Sequence, residues 1–460
     1  MKEPATEIKP TSVARPPGNA RSFPKQVGET QSPWDGVERS VWTERMLKRL
    51  AQSQEQTVWY SLWDKVWSSD NLDQAMLEVV LNKGSAGVDG QTTQQLSQEW
   101  VARRDELSAQ LRQGQYRAQP ARRVWIPKPG SVEKRPLGIP AVRDRVVQAA
   151  LLHVMEPIFE RDFAERSYGF RPGRGCLQAL HTLEQLLETG YTWVVDVDLK
   201  GYFDSIAHPR LLELIQQRIK DGKVIELLGQ YLRAGVLEAM KGWQPTKQGT
   251  PQGAVISPLL SNIYLNPLDH QMAQRGYEMV RYADDFVVCC KTLEQAQQAL
   301  REIAVWVKAV GLQLHPDKTR IVNASEKGGF DFLGYHFERY REGKGLKVPR
   351  LKSQNKLRET LRQKLQRGRS GSIGGIAVEI NPVLRGWYGY FKYSLPNAMQ
   401  RVDEWVRERI RHIIRRRKKR QGMVRGRERT EYPIAWFEAQ GLFSLMKAQA
   451  QWLQSQTGTH

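Results

Sequence analysis

The chain has 460 residues, of which 40% are hydrophobic, and its 70 Lys and Arg against 49 Asp and Glu give a formal net charge of +21. Three cysteines without a Cys-x-x-Cys pair exclude a disulfide framework and a cysteine-ligated zinc module, and no stretch reaches the roughly 18 apolar residues of a membrane span. We therefore expect a folded protein of a reducing compartment, in the cytoplasm (bacterial-type cytosol or nucleoid), with no membrane partner and with a polyanion, foremost nucleic acid, as its partner.

Residues 1–56 are predicted to form a disordered leader. The first 40 or so are rich in Pro, Gly, Ser, Thr and Gln and have almost no periodic apolar positions, so burial cannot offset the entropy of ordering them. From Thr57 onward apolar residues recur at helical spacing. We place the start of the folded body there.

Basic side chains dominate residues 101–145, where eleven Lys and Arg face four acids. The segment RVWIPKPGSVEKRPLGIP within this stretch predicts a hairpin. Further along, YTWVVDVDL (191–199) and EMVRYADDFVVCC (278–290) predict strands, and two adjacent acids interrupt the second one. An α/β body therefore extends to about residue 343.

Three aspartates in these two strands are candidate metal ligands. Asp198 ends the first strand, while Asp284 and Asp285 are expected at the tip of a tight hairpin. An isolated Asp-Asp pair is usually turn chemistry. Together, however, three carboxylates on neighbouring strands suit two Mg²⁺ ions about 3.5–4 Å apart, the arrangement that catalyses phosphoryl transfer.

Residues 344–430 carry most of the excess charge, with 25 Lys or Arg against six acids. Leu357, Leu361 and Leu365 mark one face of a helix, and a later amphipathic helix ends in RRRKKR (415–420). By itself such a run is a solvated charge cluster or a nuclear address. Because the run stands at the end of an amphipathic helix, we expect it to form a surface that binds RNA phosphates.

Ordered blocks of this sequence resemble the group II intron-encoded reverse transcriptases over residues 57–440. The blocks are DVDLKGYFDSI (196–206), QGTPQGAVISPLLSNIYLNPLD (248–269), YADD (282–285), HPDKT (315–319) and FDFLGYHF (330–337). SYGFRPGRGC and LNKGSAGVDG are similar to an insertion and an N-terminal extension that compact viral enzymes lack, and NPVLRGWYGYFKY is similar to the maturase thumb.

The resemblance implies an α+β fold, that of a right-handed polymerase. Fingers and a palm with a small antiparallel sheet would occupy residues 57–343, an all-helical basic thumb or maturase domain residues 344–430, and a C-terminal tail residues 431–460. An HNH endonuclease domain, which many relatives carry, is not expected here. Second-strand cleavage is therefore not expected from this chain.

The resemblance also assigns roles to residues. Asp198, Asp284 and Asp285 would be the catalytic ligands of two Mg²⁺ ions, helped by the carbonyl of Leu199. Contacts to the deoxynucleoside triphosphate would come from Lys128, Arg135, Phe203, Gln252 and Lys318. Phe203 would exclude the ribose 2′-hydroxyl by its bulk; the neighbouring Tyr202 is an alternative for this place, and either aromatic side chain could instead belong to the core. The intron RNA would be bound by Arg415, Arg416, Arg417, Lys418, Lys419 and Arg420.

The predicted function is RNA-directed DNA synthesis by a protein of a mobile group II intron that also binds the intron RNA and assists its splicing and mobility. Its partners would be that RNA, an RNA template, a DNA primer or target, and dNTPs. Two alternatives stay open: a splicing-only RNA-binding maturase, and a domesticated or defence-associated reverse transcriptase. The oligomeric state is not determined by the sequence.

Overall fold

The computed structural model describes residues 37–38, 41–52, 57–127, 134–239, 241–341, 344–366, 371–420 and 426–457. Lys128 and most of the expected leader lie outside these residues. Across the described ranges, no helix is both long enough and apolar enough to cross a membrane.

In the N-terminal part, the described residues form helices and one antiparallel hairpin. The elements are α1 Glu44–Gln52, α2 Trp63–Val66, α3 Ser69–Leu81, α4 Thr93–Gln98, α5 Trp100–Arg112, β1 Ala121–Pro127, β2 Lys134–Ile139 and α6 Val142–Glu160. The Ser68 hydroxyl accepts the Asn71 N–H at the start of α3, and Thr92 and Gln95 form a capping box on α4, so local side chains set where these helices begin. Helix α6 is buried along almost its whole length and forms the centre of this part.

The predicted leader is too long, because α1 lies inside it and packs on the core. Trp42 is 0% exposed, donates its indole N–H to the carbonyl of His153 at 2.9 Å, and meets the Trp59 ring edge-on at 5.4 Å. Leu47 and Leu50 of α1 are buried as well. These few apolar side chains belong to the main core, and Trp42 bonds to α6, contacts that the composition of the leader does not reveal.

The middle of the chain forms two sheets and the helices that cover them. The elements are α7 Cys176–Glu188, β3 Trp193–Asp198, α8 Tyr202–Ser205, α9 His208–Gln216, α10 Gly222–Arg233, β4 Val236–Glu238, β5 Gly242–Gln244, α11 Ser257–Gln274, β6 Glu278–Tyr282, β7 Asp285–Cys290, α12 Leu293–Ala309 and β8 Arg320–Asn323. One sheet has the strand order β2-β1-β4-β5, with β4 parallel to β1. The other, which we call the central sheet, has the order β6-β7-β3-β8 and is antiparallel throughout.

Both faces of the central sheet are covered, which explains the unbroken apolar run Phe286–Cys290 of β7. On β3, Val195 and Val197 point into the core shared with α6 and α11, whereas Val194 points into a second core formed with α7 and the C-terminal helices. Strand β7 divides its residues in the same alternating way. The expected small antiparallel sheet of the palm is therefore present, and it connects the two halves of the protein.

A third sheet precedes the C-terminal helices. It contains β9 Phe330–Phe332, β10 Tyr335–Arg341 and β11 Lys344–Pro349, and β10 pairs antiparallel with both neighbours. The predicted all-helical domain from residue 344 is thus wrong at its start. Lys347, in the segment predicted to be helical, instead lies on β11, where it is buried and pairs with Glu184 of α7.

The C-terminal helical unit contains α13 Leu351–Lys364, α14 Ile373–Phe391, α15 Pro396–Arg417, α16 Gly426–Glu431, α17 Ile434–Ala439 and α18 Leu445–Thr457. Residues 431–457, predicted as a tail, belong to this unit. The buried Asp403 carboxylate accepts hydrogen bonds from Ser444 Oγ at 2.9 Å and from the Leu445 and Met446 N–H groups at 3.0 and 3.1 Å. This cap joins the start of α18 to α15, so no structural boundary lies at residue 431.

Candidate active site

The predicted aspartates meet at one end of the central sheet. Asp198, the last residue of β3, is the direct partner of Asp285 on β7, so both side chains stand on the same face with Cβ atoms about 4.5–5.5 Å apart. Asp285 also pairs with Tyr282 of β6, which leaves only Ala283 and Asp284 in the turn. The prediction that both acids occupy the tip is therefore wrong for Asp285, because the hairpin pairing already begins there.

The carboxylates act on one another electrostatically. Desolvation by the surrounding protein and the charges of Asp196, Asp284 and Asp198 raise the pKa of Asp285 to about 7, although its side chain stays open to solvent. Desolvation and the Asp198 charge also raise the pKa of Asp284, and Arg135 opposes this shift. Like charges are thus concentrated here, which is the pattern of a cation site.

A basic side chain lies beside the first carboxylate. Lys318 Nζ is 3.1 Å from Asp198 Oδ2 and 3.3 Å from Oδ1, and the residues are 120 positions apart. Among the described side chains, no group of three or more His, Cys, Asp or Glu is arranged closely enough to hold a metal ion. Asp198 is therefore in an ion-paired arrangement rather than a coordinating one.

The donor set nevertheless fits magnesium in its chemistry. Carboxylate oxygens are the hard ligands that Mg²⁺ prefers, and the strand register holds two of them side by side with the third in the adjacent turn. The mutual repulsion that raises the pKa values is what a divalent cation relieves. Leu199 forms an antiparallel bridge with Leu314, and a metal contact by its carbonyl stays a prediction.

Two of the predicted nucleotide contacts, Arg135 on strand β2 and Gln252 on a loop, belong to segments that bond to each other. Arg135 stands on β2 opposite Ile126, exposed and near enough to influence Asp284. The carbonyl of Gln252 accepts the Gly138 N–H of the same strand at 2.7 Å. Gly253 follows with φ +106°, and a Cβ there would lie 2.8 Å from the Gly138 carbonyl, so the close approach requires glycine. These contacts tie the Gln252 loop to the hairpin.

The ambiguity between Tyr202 and Phe203 is resolved by burial. Tyr202 is 2% exposed and its hydroxyl donates to the Ser261 carbonyl at 2.7 Å, which makes it a core residue. Phe203 is half-buried, and its carbonyl accepts the Thr250 N–H at 2.8 Å. Phe203 is therefore the less buried of the two aromatic side chains, although it also packs against the core, and its contact with a sugar stays a prediction.

Three buried polar residues behind the Ala283–Asp284 turn were not predicted from the sequence. Arg281, Asp269 and Asn262 are all at most 6% exposed. The sequence signal was partial, because Arg281 interrupts the apolar run of a strand, whereas Asn262 and Asp269 stand among other polar residues of their helix. Only the fold shows that these three positions meet.

The predicted RNA-binding run is partly occupied within the protein. Arg415 pairs with Glu428, Lys418 pairs with Glu431, and Arg420 lies 3.3 Å from Glu431. Their acidic partners belong to α16, which folds back along the end of α15. Arg416, Arg417 and Lys419 are exposed. The charge available to a polyanion is thus smaller than the six predicted residues suggest.

Comparison with known proteins gives matches to two family models. Residues 126–337 match "Reverse transcriptase (RNA-dependent DNA polymerase)", and residues 354–432 match "Group II intron, maturase-specific domain". The first of these ranges contains the three aspartates. The second covers most of the C-terminal helical unit.

Three curated relatives show how far the similarity extends. Protein YkfC of Escherichia coli (strain K12) is 35% identical over 353 residues, which cover 68% of this chain and 87% of that protein. The group II intron-encoded protein LtrA of Lactococcus lactis subsp. cremoris is 37% identical over 239 residues, covering 50% and 39%. An uncharacterized 91 kDa protein in the cob intron of Schizosaccharomyces pombe is 30% identical over 372 residues, covering 63% and 45%. The chain thus spans less than half the length of the latter two.

Proposed function

The chain belongs to the family of group II intron-encoded reverse transcriptases and maturases, and on this premise we propose that Asp198, Asp284 and Asp285 are the catalytic residues of its RNA-directed DNA polymerase. The observation that carries the proposal is the register of the central sheet, in which Asp198 and Asp285 are direct partners and Asp284 occupies the adjoining turn. The assignment of these three residues depends only on this register and on the family to which the chain belongs.

Reverse transcriptases generally use divalent metal ions. The three carboxylates would hold two Mg²⁺ ions, which when bound activate the primer 3′-hydroxyl and stabilise the leaving oxygen in a phosphoryl transfer. One carboxylate cannot fully satisfy both Lys318 and a metal ion, so Asp198 would give up its ion pair with Lys318 in order to hold the metal. The Lys318 ammonium would then be released toward the triphosphate.

The remaining side chains act on the nucleotide. Arg135 on strand β2 and Lys318 in the turn before β8 lie near the aspartates, so their cationic groups would neutralise the triphosphate as pyrophosphate leaves. Phe203 would exclude a 2′-hydroxyl by its bulk, and Gln252 would support the incoming base through its loop. In the same scheme, Lys128, which lies outside the described residues, would be a further cationic contact to the triphosphate.

The C-terminal helical unit would bind the parent intron RNA and assist its splicing. Its exposed basic side chains at the end of α15 offer contacts to phosphates, and A-form RNA is recognised largely through its phosphates and 2′-hydroxyls. Catalysis of splicing would belong to the RNA itself. Protein carboxylates are therefore dispensable for this second role.

The test is Mg²⁺-dependent extension of a DNA primer on an RNA template by the purified chain. Asp198→Asn, Asp284→Asn and Asp285→Asn should each abolish extension, whereas Asp317→Asn, an exposed acid beside Lys318, should retain it. Splicing of the intron RNA by Asp284→Asn should persist. Absence of extension by the folded wild-type protein, with splicing intact, would identify a splicing-only maturase instead.

A further inference from the structure

A single buried guanidinium lies directly behind the catalytic turn. Arg281 is 0% exposed, and its donors are directed at three groups. Nε donates to Asp269 Oδ1 at 2.8 Å and Oδ2 at 3.0 Å, and Nη2 donates to the same carboxylate. Nη1 donates to Asn262 Oδ1 and to the carbonyl of Ala283, both at 2.9 Å. The last of these bonds reaches the turn itself.

The two side-chain partners belong to one helix. Asn262 and Asp269 are seven residues apart on α11, and therefore lie on the same face, two turns from each other. Tyr202, next to Phe203, donates its hydroxyl to the Ser261 carbonyl of this helix at 2.7 Å. Helix α11 is thus attached both to the segment that follows Asp198 and, through Arg281, to the turn that carries Asp284.

The turn needs external support. Ala283 has φ +59°, a left-handed conformation that an alanine adopts only at an energetic cost. On its other side Gly169 packs so closely that a Cβ at this position would lie 3.0 Å from the Ala283 Cα. The Gly169 carbonyl accepts the Asn262 amide at 2.8 Å. The same asparagine therefore holds both Arg281 and the segment that covers the turn.

From these contacts we propose that Arg281 is a positioning residue, which fixes the Ala283–Asp284 turn to helix α11 and thereby sets the place of Asp284 relative to Asp198. The proposal rests on the catalytic assignment of Asp284 made above. An unpaired buried charge is strongly unfavourable, so the guanidinium, Asp269 and Asn262 hold one another in a unique arrangement. Misplacing a reacting group by about 1 Å lowers the rate of a reaction by up to about a hundredfold.

The test uses Arg281→Lys in the full chain. Lysine keeps the charge beside Asp269, but its single ammonium cannot span the carboxylate, Asn262 and the Ala283 carbonyl together. We expect kcat for primer extension to fall by about tenfold or more while the dNTP KM stays within about twofold, because the nucleotide loop is untouched. Hydrogen exchange of the backbone amides in residues 279–286 should accelerate by about tenfold.

The matched control is Arg218→Lys, which alters another buried arginine, paired with Asp162 at 2.7 and 3.0 Å and remote in sequence from the turn. Arg218→Lys should lower the melting temperature by about as much as Arg281→Lys does, without changing kcat or the hydrogen exchange of residues 279–286. Asn262→Ala, which retains the Arg281–Asp269 pair, should give a smaller fall in kcat and serves if Arg281→Lys does not fold.

Two results would overturn the proposal. One is the absence of an effect on the turn. For Arg281→Lys this means a folded protein with unchanged exchange in residues 279–286 and kcat within about twofold of the wild type. If Asn262→Ala is used instead, it means unchanged exchange and unchanged kcat. The other is an equal loss of kcat in Arg281→Lys and Arg218→Lys, which would reveal a general effect on folding. Asp284→Asn, assayed in parallel, separates this from failure of the catalytic assignment. If that variant extends primers normally, the assignment is wrong, while the exchange measurement still reports whether Arg281 holds the turn.

Discussion

Gly169 offers a strong steric test of the catalytic turn, because alanine at this position adds one methyl group where the turn leaves no room. The added Cβ would lie 2.9 Å from the Tyr282 carbonyl carbon, 3.0 Å from the Ala283 Cα and closer still to the Ala283 nitrogen. Carbon atoms in good contact are about 3.5–4.0 Å apart, so the turn or its cover must move by about 1 Å. Both neighbours are backbone, which cannot rotate away as a side chain can.

The expected effect is a loss of activity larger than the loss of stability. A displacement of about 1 Å at Asp284 predicts a kcat reduced by up to about a hundredfold. Overpacking predicts a free energy of unfolding lower by about 1–3 kcal/mol. Primer extension under single-turnover conditions measures the first quantity, and thermal or denaturant unfolding measures the second.

Gly222→Ala is the matched control, because a Cβ at this first residue of α10 meets no atom within 4 Å. It should leave both activity and stability close to the wild type. The steric reasoning is refuted if Gly169→Ala retains kcat within about twofold, or if Gly222→Ala loses as much activity as Gly169→Ala does.

Three further predictions follow from other contacts. Asp403→Ala removes the acceptor of the three hydrogen bonds at the start of α18. It should lower the free energy of unfolding, measured by chemical denaturation, by about 2–4 kcal/mol. An unchanged free energy of unfolding would mean that this cap does not hold α18. Phe203→Ala should raise the incorporation of ribonucleotides relative to deoxyribonucleotides by about tenfold or more, because it removes the bulk proposed to exclude the 2′-hydroxyl; equal discrimination in competition assays would exclude this role. Replacing Arg416 and Lys419 together by glutamine should reduce the salt dependence of intron RNA binding by up to about two charge contacts. Replacing Lys418 and Arg420 by glutamine should reduce it less, because these two side chains pair with Glu431. The opposite order would contradict the ion pairing at the end of α15.

Features that depend on nearby residues were predictable from the sequence. The strand that ends at Asp198 and the hairpin around Asp284 are written in short apolar runs interrupted by acids, and both were confirmed. The apolar stripe of α15 was likewise visible as helical periodicity. These features are local because hydrogen-bonding pattern and burial repeat within a few residues along a strand or helix.

Features that depend on distant residues were decided only by the tertiary structure. Lys318 meets Asp198 across 120 positions, Trp42 just before α1 bonds to α6, and β11 extends a sheet into the segment predicted to be helical. In each case a charged or sparsely apolar segment is stabilised by a partner elsewhere in the chain, so its own composition predicts solvent exposure.

The catalytic turn shows both contributions at one place. The motif Tyr282–Asp285, taken together with Asp198 on the neighbouring strand, predicted the aspartates as metal ligands. The register of the strands decided that Asp284 alone shares the turn with Ala283, and the packing of α11 brought Arg281 behind it. The physical reason is that ligand chemistry resides in individual side chains, whereas their placement requires complementary charges and shapes from segments far apart in sequence.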